Sequence, residues 1–355
     1  MSVWQRISDF LTENNMKQLA FIGMLVATVL GGSWKVYTYY HPTASQINEE
    51  VIKEQRIEGE NFLNTGRYDD AKQLFEQVIK ASPDDDQALW GLKIAGVKST
   101  ATPAAFKLAI GNLYREKPKD AHVNLLLGEF YAINEHELDK AGGFYQTAIK
   151  QNPKLAEAYF DLAGVYFEQR QWAAARDAGL QAVALSETPK YQALLAAVYV
   201  KQRLYDDALR EYSKISGYPF AALESARIYW LRKQWPEAAN LQNKAIGWLD
   251  DKTVMAQAEN QEFWSFEIAV TQNPTQKQGT RLTKPDEKKA YAVFCLSVSL
   301  FLQGDAAGAE KLLAQLSAVN SGDIKAIIRA DLAELVKSRP DLAEQVATYE
   351  QRYLS

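Results

Sequence analysis

The sequence is poor in the residues that build metal, disulfide and nucleotide sites. Its 355 residues include one cysteine and three histidines. One cysteine excludes an internal disulfide and any site made of several thiolates. Neither glycine-rich phosphate-binding pattern, G-x-x-x-x-G-K-[ST] or G-x-G-x-x-G, is present. His136 and Glu137 begin the zinc pattern H-E-x-x-H, but Lys140 stands where its second histidine would be. We therefore expect no cofactor, no metal and no catalysis.

An excess of positive charge is also missing, since the net charge is −4 at pH 7. A nucleic-acid-binding surface needs lysine and arginine to neutralise phosphates, so this balance argues against a nucleic-acid partner. Hydrophobic residues make up 47% of the chain and charged residues 24%, the ordinary composition of a folded chain. The composition excludes disorder throughout and a membrane protein with many spans.

One long hydrophobic run stands near the N-terminus. Residues 18–34 are uncharged, and Lys17 and Lys35 flank them. Such a helix rises about 26 Å, and aromatic residues up to Tyr40 would extend it toward the roughly 30 Å of a bilayer core. We interpret residues 18–40 as a single-pass transmembrane anchor in contact with lipid. A cleaved signal peptide and a buried core helix are the two alternatives.

The segments around this run refine the interpretation. We interpret residues 1–17 as a short amphipathic, juxtamembrane segment, with a helical extension of the span as the alternative, and residues 41–51 as a linker. Gly23, Ala27 and Gly31 are spaced four apart, a pattern that would let the anchor self-associate or pack on another membrane helix. The few basic residues favour a cytoplasmic N-terminus. We expect a cell (inner) membrane protein whose soluble part lies on the periplasmic, extracytoplasmic side, although the bias is too small to settle the side.

Beyond about residue 50 the chain repeats itself. Prolines recur at intervals of 35, 35 and 36 residues, at Pro83, Pro118, Pro153 and Pro189. An alanine recurs with nearly the same period, at Ala71, Ala141, Ala175, Ala208, Ala238 and Ala309. An aromatic residue stands three positions before four of these alanines: Tyr68, Trp172, Tyr205 and Trp235. One such repeat cannot bury its apolar face alone, so the pattern predicts a stack of repeats.

In period and pattern the sequence resembles the tetratricopeptide repeat family, most clearly over residues 125–153 and 158–185. The resemblance implies an all-α fold. It would be a right-handed solenoid of helix-turn-helix repeats behind the N-terminal transmembrane helix. A small residue recurs on the first helix of most repeats, where two helices must cross closely: Gly59, Gly128, Ala163, Ala196 and Ala226.

The period also gives the boundaries. Repeats 1 to 6 occupy residues 52–252, repeat 7 occupies residues 290–322, and two capping helices occupy residues 323–355. Residues 253–289 would hold one helix of a degenerate repeat and then an exposed loop, Thr271–Lys289, because that stretch contains two prolines and no apolar face.

The second repeat, residues 86–119, has the weakest pattern. Lys93 or Ile94 falls where a small residue is expected, so its register stays open. The lone Cys295 lies in an apolar helix, where a buried core position is expected.

The first helix of each repeat lines the concave surface in this family. The register places seven residues on that groove: Arg56, Glu129, Phe160, Phe167, Lys201, Arg227 and Trp230. The alternative is that the aromatic residues pack between repeats. The family's best-known clamp holds a C-terminal carboxylate with lysine and asparagine. Arg56 and Glu60 occupy those two positions here, and the negative charge of Glu60 argues against the clamp. An apolar groove for an extended or helical peptide fits better.

Two functions are consistent with these features. The first is a membrane-tethered adaptor or scaffold that recruits a protein or peptide partner through its groove. The second is a structural subunit or assembly factor of an envelope machine, such as a pilus, secretion or cell-wall complex. Large apolar interfaces are typical of permanent assembly and polar grooves of transient recruitment.

Overall fold

The computed structural model describes residues 49–98, 100, 102–251, 285–316 and 322–354. The predicted anchor at 18–40, its stripe of Gly23, Ala27 and Gly31, and residues 1–17 lie outside these ranges, as does the segment 252–284. Among the described residues, no helix has both the length and the hydropathy that crossing a membrane requires.

The described ranges contain sixteen α-helices and no strand. The first twelve are α1 (Glu49–Asn64), α2 (Tyr68–Ala81), α3 (Asp86–Val97), α4 (Pro103–Glu116), α5 (Ala121–Ile133), α6 (Leu138–Gln151), α7 (Ala156–Glu168), α8 (Trp172–Leu185), α9 (Pro189–Lys201), α10 (Tyr205–Lys214), α11 (Pro219–Leu231) and α12 (Trp235–Asp250). The remaining four are α13 (Pro285–Leu302), α14 (Ala306–Leu313), α15 (Gly322–Ser338) and α16 (Ala343–Tyr349). Consecutive helices pack as pairs, and each pair stacks on the next.

Small residues hold these pairs together, as the sequence predicts. All six recurring alanines are fully buried on the second helices. At Gly128 an added Cβ would lie 2.4 Å from the ring of Tyr145, so the first helix can approach the second only without a side chain there. The structure also resolves the register of the second repeat. Its small residue is Gly91, where a Cβ would lie 2.4 Å from the ring of Phe75, and Ile94 is a core residue.

The turn between the two helices of a repeat has a recurring backbone conformation. One residue takes a positive φ in six of these turns: Gly66, His136, Arg170, Arg203, Lys233 and Gly304. This left-handed region suits glycine and is costly for residues with a Cβ. Four of the six turns nevertheless carry a basic residue there.

The predicted loop Thr271–Lys289 is wrong in its last five residues, because α13 begins at Pro285. Proline fits the first turn of a helix, where its missing N–H group is not needed. Asp286 and Glu287 follow in the same turn and stabilise the positive end of the helix dipole. Lys288 is consequently a buried residue of the helix rather than part of an exposed loop.

The C-terminal helices do more than cap the end of the stack. α15 lies against α11 and α13, on the face formed by the first helices of the repeats. We call this surface the first-helix face. α15 buries five apolar side chains in a core shared with these helices: Ile324, Ile327, Ile328, Leu332 and Leu335. Arg339, just beyond α15, donates from Nη1 to the carbonyl oxygen of Leu231 at 2.8 Å and fixes the end of α15 beside α11.

Candidate functional site

A cleft of about 230 Å³ opens on the first-helix face of repeats 4 to 6. Helices α7, α9 and α11 form one side, and the C-terminal half of α15 forms the other. Its apolar lining includes Phe167, Ala197, Val200, Ile228, Trp230 and Leu231. Its charged lining consists of Lys201, Arg203, Glu224, Arg227, Asp331, Glu334 and Lys337. The cleft therefore presents an apolar floor beside charged walls.

Four of the seven predicted groove residues meet in this cleft: Phe167, Lys201, Arg227 and Trp230. The two aromatic side chains belong mainly to the core. Phe167 packs edge-on against Trp172 with 5.2 Å between ring centroids. Trp230 is only 2% exposed, and its indole Nε1 donates to Ser299 Oγ at 2.7 Å. These rings form the floor of the cleft, and the polar side chains stand above them.

Arg227 organises the charges on the deep side of the cleft. Its guanidinium lies 2.8 Å from Asp331 Oδ1 on α15 and 3.2 Å from Glu224 Oε1 on α11. Tyr291 donates its hydroxyl to Asp331 Oδ2 at 2.7 Å. Burial raises the pKa of Asp331, and the Arg227 charge opposes that rise. This network joins α11, α13 and α15. It therefore holds the helices of the cleft in place, and three of its side chains also line the cleft.

Lys201 has a different electrostatic environment. Burial lowers the pKa of its ammonium group, and the nearby positive charges of Arg227 and Lys337 lower it further. Glu334 and Glu224 act in the opposite direction and do not compensate. A bound anion would favour the charged form of Lys201.

The other three predicted groove residues lie away from the cleft and contact neighbouring repeats. Arg56 forms an ion pair with Asp85 at 2.7 Å. Phe160 is half-buried and packs on Tyr191, with 5.1 Å between ring centroids. Glu129 is buried and pairs with Lys98 at 2.6 Å. These side chains therefore connect repeats to one another.

A buried charged network surrounds Glu129, and sequence reasoning missed it. Glu157 pairs with Lys190 at 2.6 Å and accepts a hydrogen bond from the Tyr191 hydroxyl at 2.7 Å. Tyr68 donates to Glu129 at 3.4 Å, so the first repeat joins the third. The signal in the sequence is the carboxylate of Glu129 next to the small packing residue Gly128. Its partners Lys98 and Tyr68 are 31 and 61 residues away in the chain and could not be found from the repeat pattern.

The turn after α1 lies against this network. Asn64 Oδ1 accepts a hydrogen bond from Asn152 Nδ2 at 2.9 Å and lies 3.1 Å from His122 Nε2. Gly66 has φ +72°, and a Cβ there would be 2.6 Å from the carboxyl carbon of Glu157. The first repeat thus contacts the third and fourth directly. This contact covers part of the first-helix face beside α5 and α7, whereas the cleft lies nearer α15.

The described residues show neither a metal site nor a reactive thiol. Within the described ranges, no group of three or more histidine, cysteine, aspartate and glutamate side chains is arranged to hold a metal ion. Cys295 is a buried core residue, as expected, and burial raises the pKa of its thiol.

Comparison with known proteins identifies the repeat. Residues 144–177 and residues 58–92 each match a model of the tetratricopeptide repeat. The chain contains tetratricopeptide repeats. Proteins of this kind are generally non-enzymatic scaffolds, and they bind protein or peptide partners.

Individual relatives are distant. The protein O-mannosyl-transferase Tmtc3 of Drosophila melanogaster is 25% identical over 113 residues, which are 32% of this chain and 12% of that protein. This tetratricopeptide repeat chain thus matches only a small part of the relative's length. The APC/C hetero-tetramer Cut9–Hcn1 has a TM-score of 0.50 at 14% identity, with 88% of this chain and 58% of that chain covered, and shows the fold alone. TTC0263, a thermophilic TPR protein of Thermus thermophilus, has a TM-score of 0.34 at 26% identity, with 46% and 89% covered.

Proposed function

We propose that this chain is a scaffold that recruits a protein or peptide partner through the cleft between α7, α9, α11 and α15. The observation that carries the proposal is the convergence of Phe167, Lys201, Arg227 and Trp230 in one open cleft. A partner side chain would enter the apolar floor, and the charged walls would orient the segment on either side of it.

The walls of the cleft favour recruitment over permanent assembly. The surface is small, and its rim is charged, whereas permanent interfaces are larger and more apolar. The tight packing of α15 on the core also makes it a fixed wall of the cleft, because displacing it would expose five buried apolar side chains.

We also propose that residues 18–40 tether the scaffold to the inner membrane, with the repeats on the extracytoplasmic side. The uncharged run of the sequence supports this part of the proposal. A tether would raise the effective concentration of the cleft for any partner on the same membrane, without new contacts.

Site-specific photocrosslinking tests the recruitment. Benzoylphenylalanine replaces Tyr205, which lines the cleft, or Tyr114, which is 42% exposed on α4 and serves as the matched control. In intact cells of the source organism, the full chain should form one set of protein adducts through position 205 and none of them through position 114. The same adducts from both positions, or from neither, would refute recruitment through the cleft.

The same cells test the tether. The full chain should sediment with membranes and resist alkaline extraction, whereas residues 45–355 should not. Equal partition of the two forms would remove the tether from the proposal and leave the cleft untouched.

A further inference from the structure

Basic residues occupy turns at one edge of the repeats, although the positive φ there is unfavourable for a residue with a Cβ. Arg170 and Arg203 stand at the same position of consecutive turns with φ of 60° and 61°. Gly66 and Gly304 take this position in the first and seventh repeats. Glycine adopts such a conformation without steric cost, and arginine does not. The backbone conformation alone therefore gives no reason for arginine here.

Neither of these two arginines forms an ion pair with a described residue. Both are exposed, and no carboxylate lies within ion-pair distance of either in the described part of the chain. Lys233 stands at the same position of the next turn and has the same backbone conformation. Its ammonium group forms an ion pair with Asp341, so its charge is already compensated. All three residues share the turn conformation, but only Arg170 and Arg203 carry a charge that no described carboxylate pairs.

The unengaged charge borders the cleft. Arg203 lines the cleft together with Lys201 and Lys337. Glu334 also lines the cleft, and it lies 3.7 Å from Lys337. The deeper carboxylates of Glu224 and Asp331 are held by Arg227. Arg203 thus adds a positive charge to this rim that no described carboxylate pairs.

From this arrangement we propose that the partner segment is acidic. It carries aspartate or glutamate side chains that contact Arg203 and Arg170, and one apolar side chain that enters the cleft over Phe167. The inference rests on the proposed recruitment function and specifies its ligand. Charge-assisted hydrogen bonds from arginine to carboxylates are strong and directional, so they would fix the register of the segment.

A purely structural role for the arginines predicts different behaviour. Cations near the carbonyl end of a helix stabilise its dipole, and Arg203 follows the end of α9. If this were their whole role, replacement by glycine would change the stability of the repeats and leave ligand affinity unchanged.

Fluorescence anisotropy with defined peptides tests the proposal on the protein spanning residues 1–355 in detergent. The probe is a labelled, C-terminally amidated peptide that alternates glutamate with leucine, and the comparison probe has glutamine in place of glutamate. The acidic peptide should bind about tenfold more tightly than the neutral one, or better, and added salt should reduce the difference.

Three variants then assign the effect. Arg170→Gly/Arg203→Gly should weaken acidic-peptide binding by about tenfold or more while leaving the melting temperature equal or higher. Lys233→Gly is the matched control, with the same backbone change and a charge already paired, and should retain affinity. Arg170→Lys/Arg203→Lys should retain the salt-dependent part of the binding, because the positive charges stay, and lose the part that depends on directional arginine hydrogen bonds.

Equal binding of acidic and neutral peptides would overturn the inference, and so would full affinity in Arg170→Gly/Arg203→Gly. Neither outcome touches the recruitment function if position 205 still yields specific adducts in cells. Loss of those adducts would refute the recruitment function itself.

Discussion

Helices α5 and α6 can approach closely at Gly128 because glycine has no side chain. The ring of Tyr145 occupies the space where a Cβ would stand, and Tyr145 itself is only 2% exposed. A buried ring in a packed core has little room to shift. The same relation holds where alanine rather than glycine is used, as at Ala163 and Ala196, both fully buried.

Gly128→Ala should therefore destabilise the protein by about 1–3 kcal/mol, the usual cost of overpacking a core. Gly143→Ala is the matched control, because a Cβ at Gly143 would meet nothing within 4 Å in the same helix pair. It should stabilise the protein by about 0.5–1 kcal/mol through helix propensity. Denaturant unfolding of both variants checks the pair, and destabilisation of equal size in both would contradict the packing account.

The residue pattern predicted the packing positions well and the polar contacts poorly. Small and aromatic residues recur with the repeat, so their places follow from the period alone. The partners of Glu129 do not, since Tyr68 and Lys98 come from two other repeats. Phe167 and Trp230 line the cleft, yet both are core residues at its floor. A helical period does not distinguish an aromatic at the edge of a core from one in a groove.

At the scale of elements, the first repeat is held against the third and fourth by the network around Glu129 and Glu157. Tyr145 hydrogen-bonds the Asp161 side chain within it, and Asp161 Oδ2 is buried without a hydrogen-bond partner in the described part of the chain. Burial raises the pKa of Asp161 well above its usual value, and the carboxylates of Glu157 and Glu129 raise it further. Lys98 and Lys190 oppose the rise without cancelling it.

This environment predicts how stability depends on pH. The pKa of Asp161 in the folded protein exceeds the value of about 3.9 expected for the unfolded chain. Between the pKa of Asp161 in the unfolded chain and its higher pKa in the folded protein, the folded state binds more protons than the unfolded state. The contribution of Asp161 to stability therefore falls as pH rises above about 4. Asp161→Asn cannot ionise and keeps a similar shape.

The free energy of unfolding of the Asp161→Asn variant should exceed that of the unmodified protein at neutral pH, and this gain should shrink toward a pH of about 4. Denaturant unfolding across that range measures the difference. A gain that grows on acidification would show that Asp161 is ionised and stabilising.

Helix pairs were predictable as elements, but the start of α13 and the docking position of α15 were not. The prolines around residues 274 and 285 were interpreted as loop residues, although Pro285 starts α13. Proline is compatible with both, and the sequence gives no rule to choose. The position of α15 over α11 depends on contacts such as Arg227 to Asp331, which lie far apart in the chain and follow no period.

At the scale of the whole molecule, both ends of the described stack contact its first-helix face. The turn after α1 covers the face near α5 and α7, and α15 covers it near α11 and α13. The cleft is the open surface between α7 and α15. Its walls come from four helices that lie between residues 156 and 338 of the chain, so the site exists only in the assembled stack.

Filling the cleft tests this account most directly. Val200→Trp adds a large side chain to the cleft lining, and Leu180→Trp adds the same side chain at a position 42% exposed on α8. For the partner identified through position 205, Val200→Trp should reduce affinity by about tenfold or more, which is about 1.4 kcal/mol. The melting temperature should change little, and Leu180→Trp should alter neither quantity. Unchanged affinity in Val200→Trp, with a folded protein, would show that the partner binds elsewhere.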